Sequence, residues 1–376
     1  AHDRLPAQNP IRRPRGGGPG PGVPIAGLMD PGTAPHWLPP LCFAAAALVI
    51  ALAGVRLTVV AGHLSRATGL GDLLTGAVLI GLVTSLSGLV TSVSAAADGH
   101  ASLAVSNALG GIAAQTMFLA VADVLYRPAN LEHAAASEDN LLQAVLLMLL
   151  LALPLLATTL PALTLPGLHP VSLLLVASYL GGLRLSASAR RQPMWQPRLT
   201  AQTLREAAPA ARAHPADPRL WLAFAGLALL VGSAGWVLSR SAVVIAAQTG
   251  LGESVIGGVL TAVTTSLPEL VVAIAAVRRG AIALALGDIL GGNAFDVLFL
   301  AASDLAYPGP SIYSALGAAD LFWLALSLLM CAVLLLGLLR RQRHGLGNIG
   351  FESVLVLLLY CGGVLSLLFQ GGAIRD

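Results

Sequence analysis

The chain has 376 residues, 56% of them hydrophobic and only 10% charged, with a formal net charge of +3. Soluble domains carry roughly 25% charged residues, so this composition excludes one and points to a polytopic membrane protein with the lipid bilayer as its first partner. The side-chain cations other than His are all Arg, and they lie in short loops between apolar spans, which argues against a nucleic-acid partner.

Residues 1–36 are rich in Pro, Gly and Arg and hold no apolar run, so a disordered N-terminal tail is expected. No signal peptide is visible in it, and Met29 is a candidate start. Apolar spans follow near 37–62, 71–97, 101–126, 140–160 and 168–186. Residues 187–218 interrupt them with Arg190, Arg191, Arg198, Arg205 and Arg212 among prolines. Further spans lie near 219–247, 252–277, 281–306, 316–339 and 349–370. Each reaches the roughly 20 residues that a membrane helix needs. The expectation is an all-α membrane protein of ten transmembrane helices. Its parts are a repeat over 37–186, a linker over 187–218 and a repeat over 219–376. That linker is too short for a folded sensing domain. Cys42, Cys331 and Cys361 fall inside apolar spans without metal spacing and read as small buried hydrophobes.

Arginine bias sets the orientation. With 187–218 in the cytoplasm, Arg66, Arg127, Arg278, Arg279, Arg340, Arg341 and Arg343 share that side, and both termini fall outside. Arg12, Arg13 and Arg15 break the rule, which favours Met29 as the natural start. The absence of Lys and the Ala, Leu, Pro and Gly load suit a GC-rich genome. A bacterial plasma membrane is therefore expected ahead of a mitochondrial inner membrane.

The halves align without a gap at an offset of 181. Thr68 to Asp72 (TGLGD) lies over Thr249 to Glu253 (TGLGE), and Thr84-Ser85-Leu86 over Thr265-Ser266-Leu267. Gly99, Leu109-Gly110-Gly111, Asp123 and Tyr126 lie over Gly280, Leu290-Gly291-Gly292, Asp304 and Tyr307. Between 68 and 126, 25 of 59 positions are identical. Five spans per repeat is an odd number, so the two halves insert with opposite topology. Inverted repeats are a mark of secondary transporters, whose site lies at the midplane.

Two carboxylates fall deep in the second repeat: Glu269, beside Thr264, Thr265, Ser266 and Pro268, and Asp296, beside Gly291, Gly292 and Asn293. A carboxylate in hydrocarbon costs at least ~2.5–3.5 kcal/mol and is rarely accidental. Pro frees a backbone carbonyl, and small residues let helices approach. Carboxylate, hydroxyl, amide and carbonyl oxygens at mid-depth suit a hard cation.

Residues 257–270 (GGVLTAVTTSLPEL) and 287–296 (GDILGGNAFD) resemble the α-repeat signatures of the cation/Ca2+ exchanger superfamily, of the Na+/Ca2+ exchanger type. The resemblance implies ten helices, alternating access and a Ca2+ and Na+ site between helices 2, 3, 7 and 8. It makes Glu269, Asp296, Thr265 and Ser266 ligands, with Thr84, Ser85 and Gln115 on the corresponding positions of the first half. The first half departs from the pattern: Ser87 and Gly88 replace the Pro and Glu of the signature, and Gln115 replaces an Asn. Asn107 faces Asp288 across the offset, and Gly111 and Gly292 stand for serines.

The function expected is antiport of Ca2+, or another divalent cation, against Na+ or H+. Two monovalent ions balance Glu269 and Asp296 as well as one divalent ion does. No organic cofactor fingerprint or nucleophile–base pair appears, so an enzyme is not expected. A cation channel and a non-transporting cation-binding protein on the same fold are the rivals. Structural readings stand beside the site: Glu269 pairing with Arg240, Asp296 holding Asn293 or a helix end, and Thr84 and Ser85 as packing hydroxyls. Asp288 is either part of an ion path or an interfacial residue. Asp123 and Asp304 read as solvated helix ends, and Asp139 and Asp320 as N-caps. The glycine pairs 110–111, 181–182, 291–292 and 362–363 read as packing positions. His63, His100 and His169 read as interfacial. Oligomeric state is left open.

Overall fold

The computed structural model describes residues 32–68, 81–126, 128–135, 137–160, 168–191, 196–198, 200, 203, 217–280, 282–345 and 349–373. The Arg-poor start of the second span, most of the tail and much of the linker lie outside the described residues. The helices are α1 (Leu38–Thr68), α2 (Leu86–Ala97), α3 (Ala101–Leu125), α4 (Glu138–Ala157), α5 (Pro170–Arg191) and α6 (Pro218–Thr249). They continue with α7 (Glu253–Thr265), α8 (Leu267–Arg278), α9 (Ile282–Asp296), α10 (Leu298–Ala306), α11 (Ala318–Arg340) and α12 (Phe351–Ala373). Among the described residues there is no β-strand. Eight spans among the described residues are long and apolar enough to cross a membrane, one of them joining α9 and α10. The bent pair α7–α8 makes a ninth.

Burial sorts the helices into an inner and an outer set. In α3, 78% of the most apolar window is buried, against 28% in α1, α5 and α6. Helices α1 and α6 lie along each other, and α3 is surrounded by α2, α7, α9, α11 and α12. The outward faces of α1 and α6 carry Leu41, Leu48, Leu52, Leu222 and Leu229, all exposed. Lipid tails solvate such side chains as well as protein does, so close packing and buried hydrogen bonds hold the inner set.

Turn chemistry follows the sequence. Gly99 and Gly280 take left-handed φ values of 86° and 76°, the conformation that only a residue without Cβ adopts freely. Ser137 caps α4 by accepting from the Asn140 N–H, and Asp217 caps α6 with Pro218 at the first helical position. Asp320 is not the N-cap of α11 but the third residue of its first turn, where it accepts from the N–H of Gly317, the capping residue, and also from Ser102 Oγ at 2.6 Å. Asp139 likewise sits inside the first turn of α4, accepting from Gln143 Nε2.

Asp123 and Asp304 are not solvated ends. Both are buried, and each clamps two backbone N–H groups. Asp123 accepts from Leu131 (2.6 Å) and Gly350 (3.0 Å). Asp304 accepts from Ile312 (2.9 Å) and His169 (2.8 Å), and from the hydroxyls of Ser172 and Ser311. Each carboxylate thus closes the loop after its own helix and fixes the start of a helix in the other half. The cysteines also differ from expectation: Cys331 is buried, Cys42 half-buried and Cys361 exposed. Helix α12 turns Cys361 outward, where an apolar bilayer suits it as well as a core does.

His100, at the α2–α3 turn, contacts Glu253 at 2.6 Å, with about a third of each side chain exposed. The hydrogen bond to Glu253 raises the His100 pKa above its ordinary value of 6.5. A raised folded-state pKa means that the contribution is full below the unfolded value and is lost as pH rises through the folded one. His100→Gln is therefore expected to lower the melting temperature at acid pH and leave it unchanged at alkaline pH. The loss is under about 1 kcal/mol, because solvent screens an exposed pair. Thermal unfolding across pH checks it.

Candidate cation site

The site grows from two helix breaks. Ser85 interrupts the helix that runs into α2, with φ −90° and ψ 7°, and Ser266 separates α7 from α8 with φ −92° and ψ 3°. This sparsely populated backbone region is where many functional residues sit. At the second break the helix bends by 45°. Pro268 follows it and has no N–H, so the Thr264 carbonyl loses its helical donor. The Pro268 ring packs on α1 where Gly54 leaves room: a Cβ there would stand 2.6 Å from Pro268 Cγ. Upstream, residues Ile256–Thr261 form a π-helical stretch, a distortion frequent at functional sites.

Between the breaks lies a hollow lined by Ser85, Gly88, Asn107, Ala108, Gly111, Gln115, Thr265, Ser266, Glu269, Asp296 and Phe299. It holds ≈ 210 Å³ of atom-free space, open mouth included. Glu269 and Asp296 are 6% and 3% exposed. Gln115 Nε2 donates to Asp296 Oδ2 at 2.8 Å and to Ser266 Oγ at 3.3 Å. Four oxygens of the hollow are buried without a donor in bonding geometry, Ser85 Oγ, Gln115 Oε1, Glu269 Oε2 and Asp296 Oδ1, with the Ser85 hydroxyl lying beside the Asp296 carboxylate. Asn107 Oδ1 is a fifth, while its amide nitrogen donates to the Gly88 carbonyl and Ser92 Oγ.

Six of the seven residues singled out in the sequence thus meet at one place. Thr84 is buried beside them, but its hydroxyl donates to the Gly81 carbonyl at 3.2 Å and it does not line the hollow. The Thr265 hydroxyl likewise bonds back to Ala262 at 3.2 Å, while the Thr265 carbonyl accepts from Ser87 Oγ. Arg240 pairs with Asp98 at 3.0 Å, so it is not the partner of Glu269. Asn293 donates to Thr116 Oγ1 and the Ile112 carbonyl rather than to Asp296. Sequence reasoning missed Phe299: at Gly88 a Cβ would stand 3.0 Å from its ring, so Phe299 occupies the space of a larger residue at 88.

Among the described residues no three His, Cys, Asp or Glu side chains are placed to hold a metal ion. A cation held here takes its remaining oxygens from hydroxyls, amides and the main chain, the hard donors that Ca2+ and Na+ accept.

The profile of the family described as sodium/calcium exchanger protein matches residues 38–186 and 219–369. A putative antiporter, CaxA, of Alkalimonas amylolytica is 30% identical over 308 residues, 80% of this chain and 90% of that protein. The inner membrane protein YrbG of Escherichia coli (strain K12) is 29% identical over 274 residues, 71% of this chain and 80% of that one. The crystal structure of the H+/Ca2+ exchanger CAX has the same fold, with a TM-score of 0.64 at 15% identity over 89% of this chain and 85% of that one.

Proposed function

The chain belongs to the sodium/calcium exchanger family, a family of membrane transporters rather than enzymes, and from that premise we propose that it exchanges one divalent cation, Ca2+ by preference, for two monovalent cations at the hollow between the breaks. Glu269, Asp296, Ser85, Ser266, Gln115 and the main chain around Thr265 are the ligands in this reading. The observation that carries it is the set of buried oxygens without donors around two carboxylates. Burying such oxygens without partners is costly, and a bound cation offsets that cost.

Two carboxylates neutralise one Ca2+, or two Na+, or two H+, so the same oxygens serve both legs of the cycle at different times. H+ remains a candidate counter-ion beside Na+, because the relatives include both exchanger types. Alternating access requires α7 and α8 to rearrange, and the π-helical stretch and the proline break give them somewhere to do it. In this reading α1 moves over Pro268 at Gly54, the position that leaves room for its ring.

An inverted pair of five-helix repeats with a ten-helix count is part of the proposal. It is supported by Gln115 and Asp296, residues 181 apart that bond to each other, and by the matched breaks, turns and clamps at the same offset. The Arg-rich face is placed in the cytoplasm, both termini outside, and the protein in a bacterial plasma membrane, as the bacterial relatives favour.

The test is radiolabelled Ca2+ uptake into reconstituted vesicles under separate Na+ and pH gradients. The expected result is uptake driven by at least one gradient, with a rate that an imposed membrane potential leaves unchanged. Uptake that a negative interior either accelerates or slows would mean that net charge moves and would overturn the two-for-one count.

A further inference from the structure

One face of α9 differs from the other faces of the inner helices. Gly287, Asp288, Gly291 and Gly292 are half-buried, while Leu286, Ile289 and Leu290 among them are buried. A stripe turned to lipid is apolar and bulky; this one is glycine and a carboxylate. Side-chain amide oxygens stand opposite it. Asn140 Oδ1 is 3.1 Å from where a Cβ on Gly287 would be, Gln143 Oε1 3.5 Å from that of Gly291, and Gln115 Oε1 3.7 Å from that of Gly292.

The donor ends of these amides are engaged elsewhere, which fixes the acceptor ends toward α9. Asn140 Nδ2 donates to the Ala135 carbonyl, Gln143 Nε2 to Asp139 Oδ2, and Gln115 Nε2 to Asp296 Oδ2. Gln143 Oε1 and Gln115 Oε1 are buried with no donor. The series starts in the first turn of α4 and ends at Asp296. From Gly287 to Asp296 the helix rises about 13 Å.

The offset of 181 supplies a comparison within the molecule. The counterparts of Gly287, Asp288, Gly291 and Gly292 are Ser106, Asn107, Gly110 and Gly111, all buried. Asn140 and Gln143 correspond to Leu321 and Leu324. There Gly110 packs on the Gly258 backbone of α7, where a Cβ would stand 2.3 Å from its carbonyl oxygen; Ala77, the offset counterpart of Gly258, lies outside the described residues.

We propose that the strip between α4 and α9 is the cation's access track to Asp296 from the face where α4 begins, with Asn140, Gln143 and Gln115 as successive oxygen rungs and Asp288 as the charge that draws the cation in. Amide oxygens without donors replace hydration water at little cost, and a single carboxylate attracts a cation without trapping it. The track rests on the reading of the hollow as the cation site.

The test uses the full chain in vesicles, with Ca2+ varied on one face at a time. Gln143→Leu, which installs the residue of the offset position, is expected to raise the half-saturating Ca2+ about three- to tenfold on the face where α4 begins, the size of one lost polar contact. The opposite face should shift less than about twofold, within the scatter of a surface-neutral change. Gln143→Glu should lower half-saturation on the first face. Leu149→Ala, exposed on α4, should change neither. Equal shifts on both faces, or no shift with either Gln143 variant, overturn the track. A Gln143→Leu chain that does not reconstitute leaves Gln143→Glu to decide. Glu269→Gln in the same vesicles separates the two readings: flux that persists there removes the central site and the track with it, whereas flux lost there with no face-selective Gln143 effect removes the track alone.

Discussion

Replacing Glu269 by Gln is expected to reduce Ca2+ exchange about a thousandfold, from both faces. The change keeps the shape and removes one of two charges. Two unit charges 4 Å apart attract by about 4 kcal/mol at an effective dielectric of 20, and a divalent ion doubles that. If reorganisation and lost hydration offset half, about 4 kcal/mol remains, a factor of about a thousand in affinity. Asp296→Asn should behave alike, with one difference: Asp296 already accepts from Gln115, so the variant also sets amide against amide. Thr84→Ala supplies the contrast. Its hydroxyl donates to the Gly81 carbonyl and it does not line the hollow, so exchange should fall less than about threefold, the scale of a neutral helix hydrogen bond. Isothermal titration of Ca2+ in detergent and vesicle flux together check the pair. Glu269→Gln binding Ca2+ as well as the parent chain does would remove the site.

Much of this was readable in residues because membrane chemistry is strict. Glu269 and Asp296 stood out since hydrocarbon tolerates few carboxylates, and the structure places both on one hollow. The offset of 181 pointed to Gly99 and Gly280 as equivalent turns, and both are left-handed. What was not readable depends on direction rather than identity. A sequence does not say whether a threonine hydroxyl faces a cavity or its own helix, and Thr84 faces its helix. Nor does it say that Phe299 fills the space beside Gly88, because that contact joins residues 211 positions apart. Asp123 and Asp304 looked like solvated ends from their place near span boundaries. Their real partners are N–H groups of loops and of the other half, far away in sequence. The glycine pairs show the same limit. All read as packing positions, yet they divide into four kinds, Gly111 alone meeting a hydroxyl, that of Ser266. Gly110, Gly182 and Gly363 leave no room for a Cβ, Gly181 and Gly362 meet nothing, and Gly291 and Gly292 face amide oxygens.

That division yields the second large effect. Gly110 on α3 crosses Gly258 on α7, and a Cβ on Gly110 would stand 2.3 Å from the Gly258 oxygen and 2.5 Å from its Cα. These are backbone atoms, so no rotamer change relieves the overlap. Helix α7 cannot retreat either, because the far side of Gly258 is closed by Trp323. A Cβ on Gly258 would stand 2.1 Å from that ring, which is fully buried and tied by its Nε1 to the Ser254 carbonyl at 3.1 Å. Gly110→Ala must therefore separate α3 from α7 or distort the π-helical stretch, at a cost of about 3 kcal/mol or more, the upper end for overpacking. Gly181→Ala adds the same methyl where nothing lies within 4 Å and should leave stability unchanged or slightly raised. Thermal unfolding of the two purified variants in detergent measures the difference. Because α7 carries Thr265 and leads into Ser266, Gly110→Ala should also weaken Ca2+ binding in whatever fraction folds. Equal melting temperatures for the two variants would mean that α3 and α7 do not meet through bare backbone, and the hollow's geometry would lose its frame.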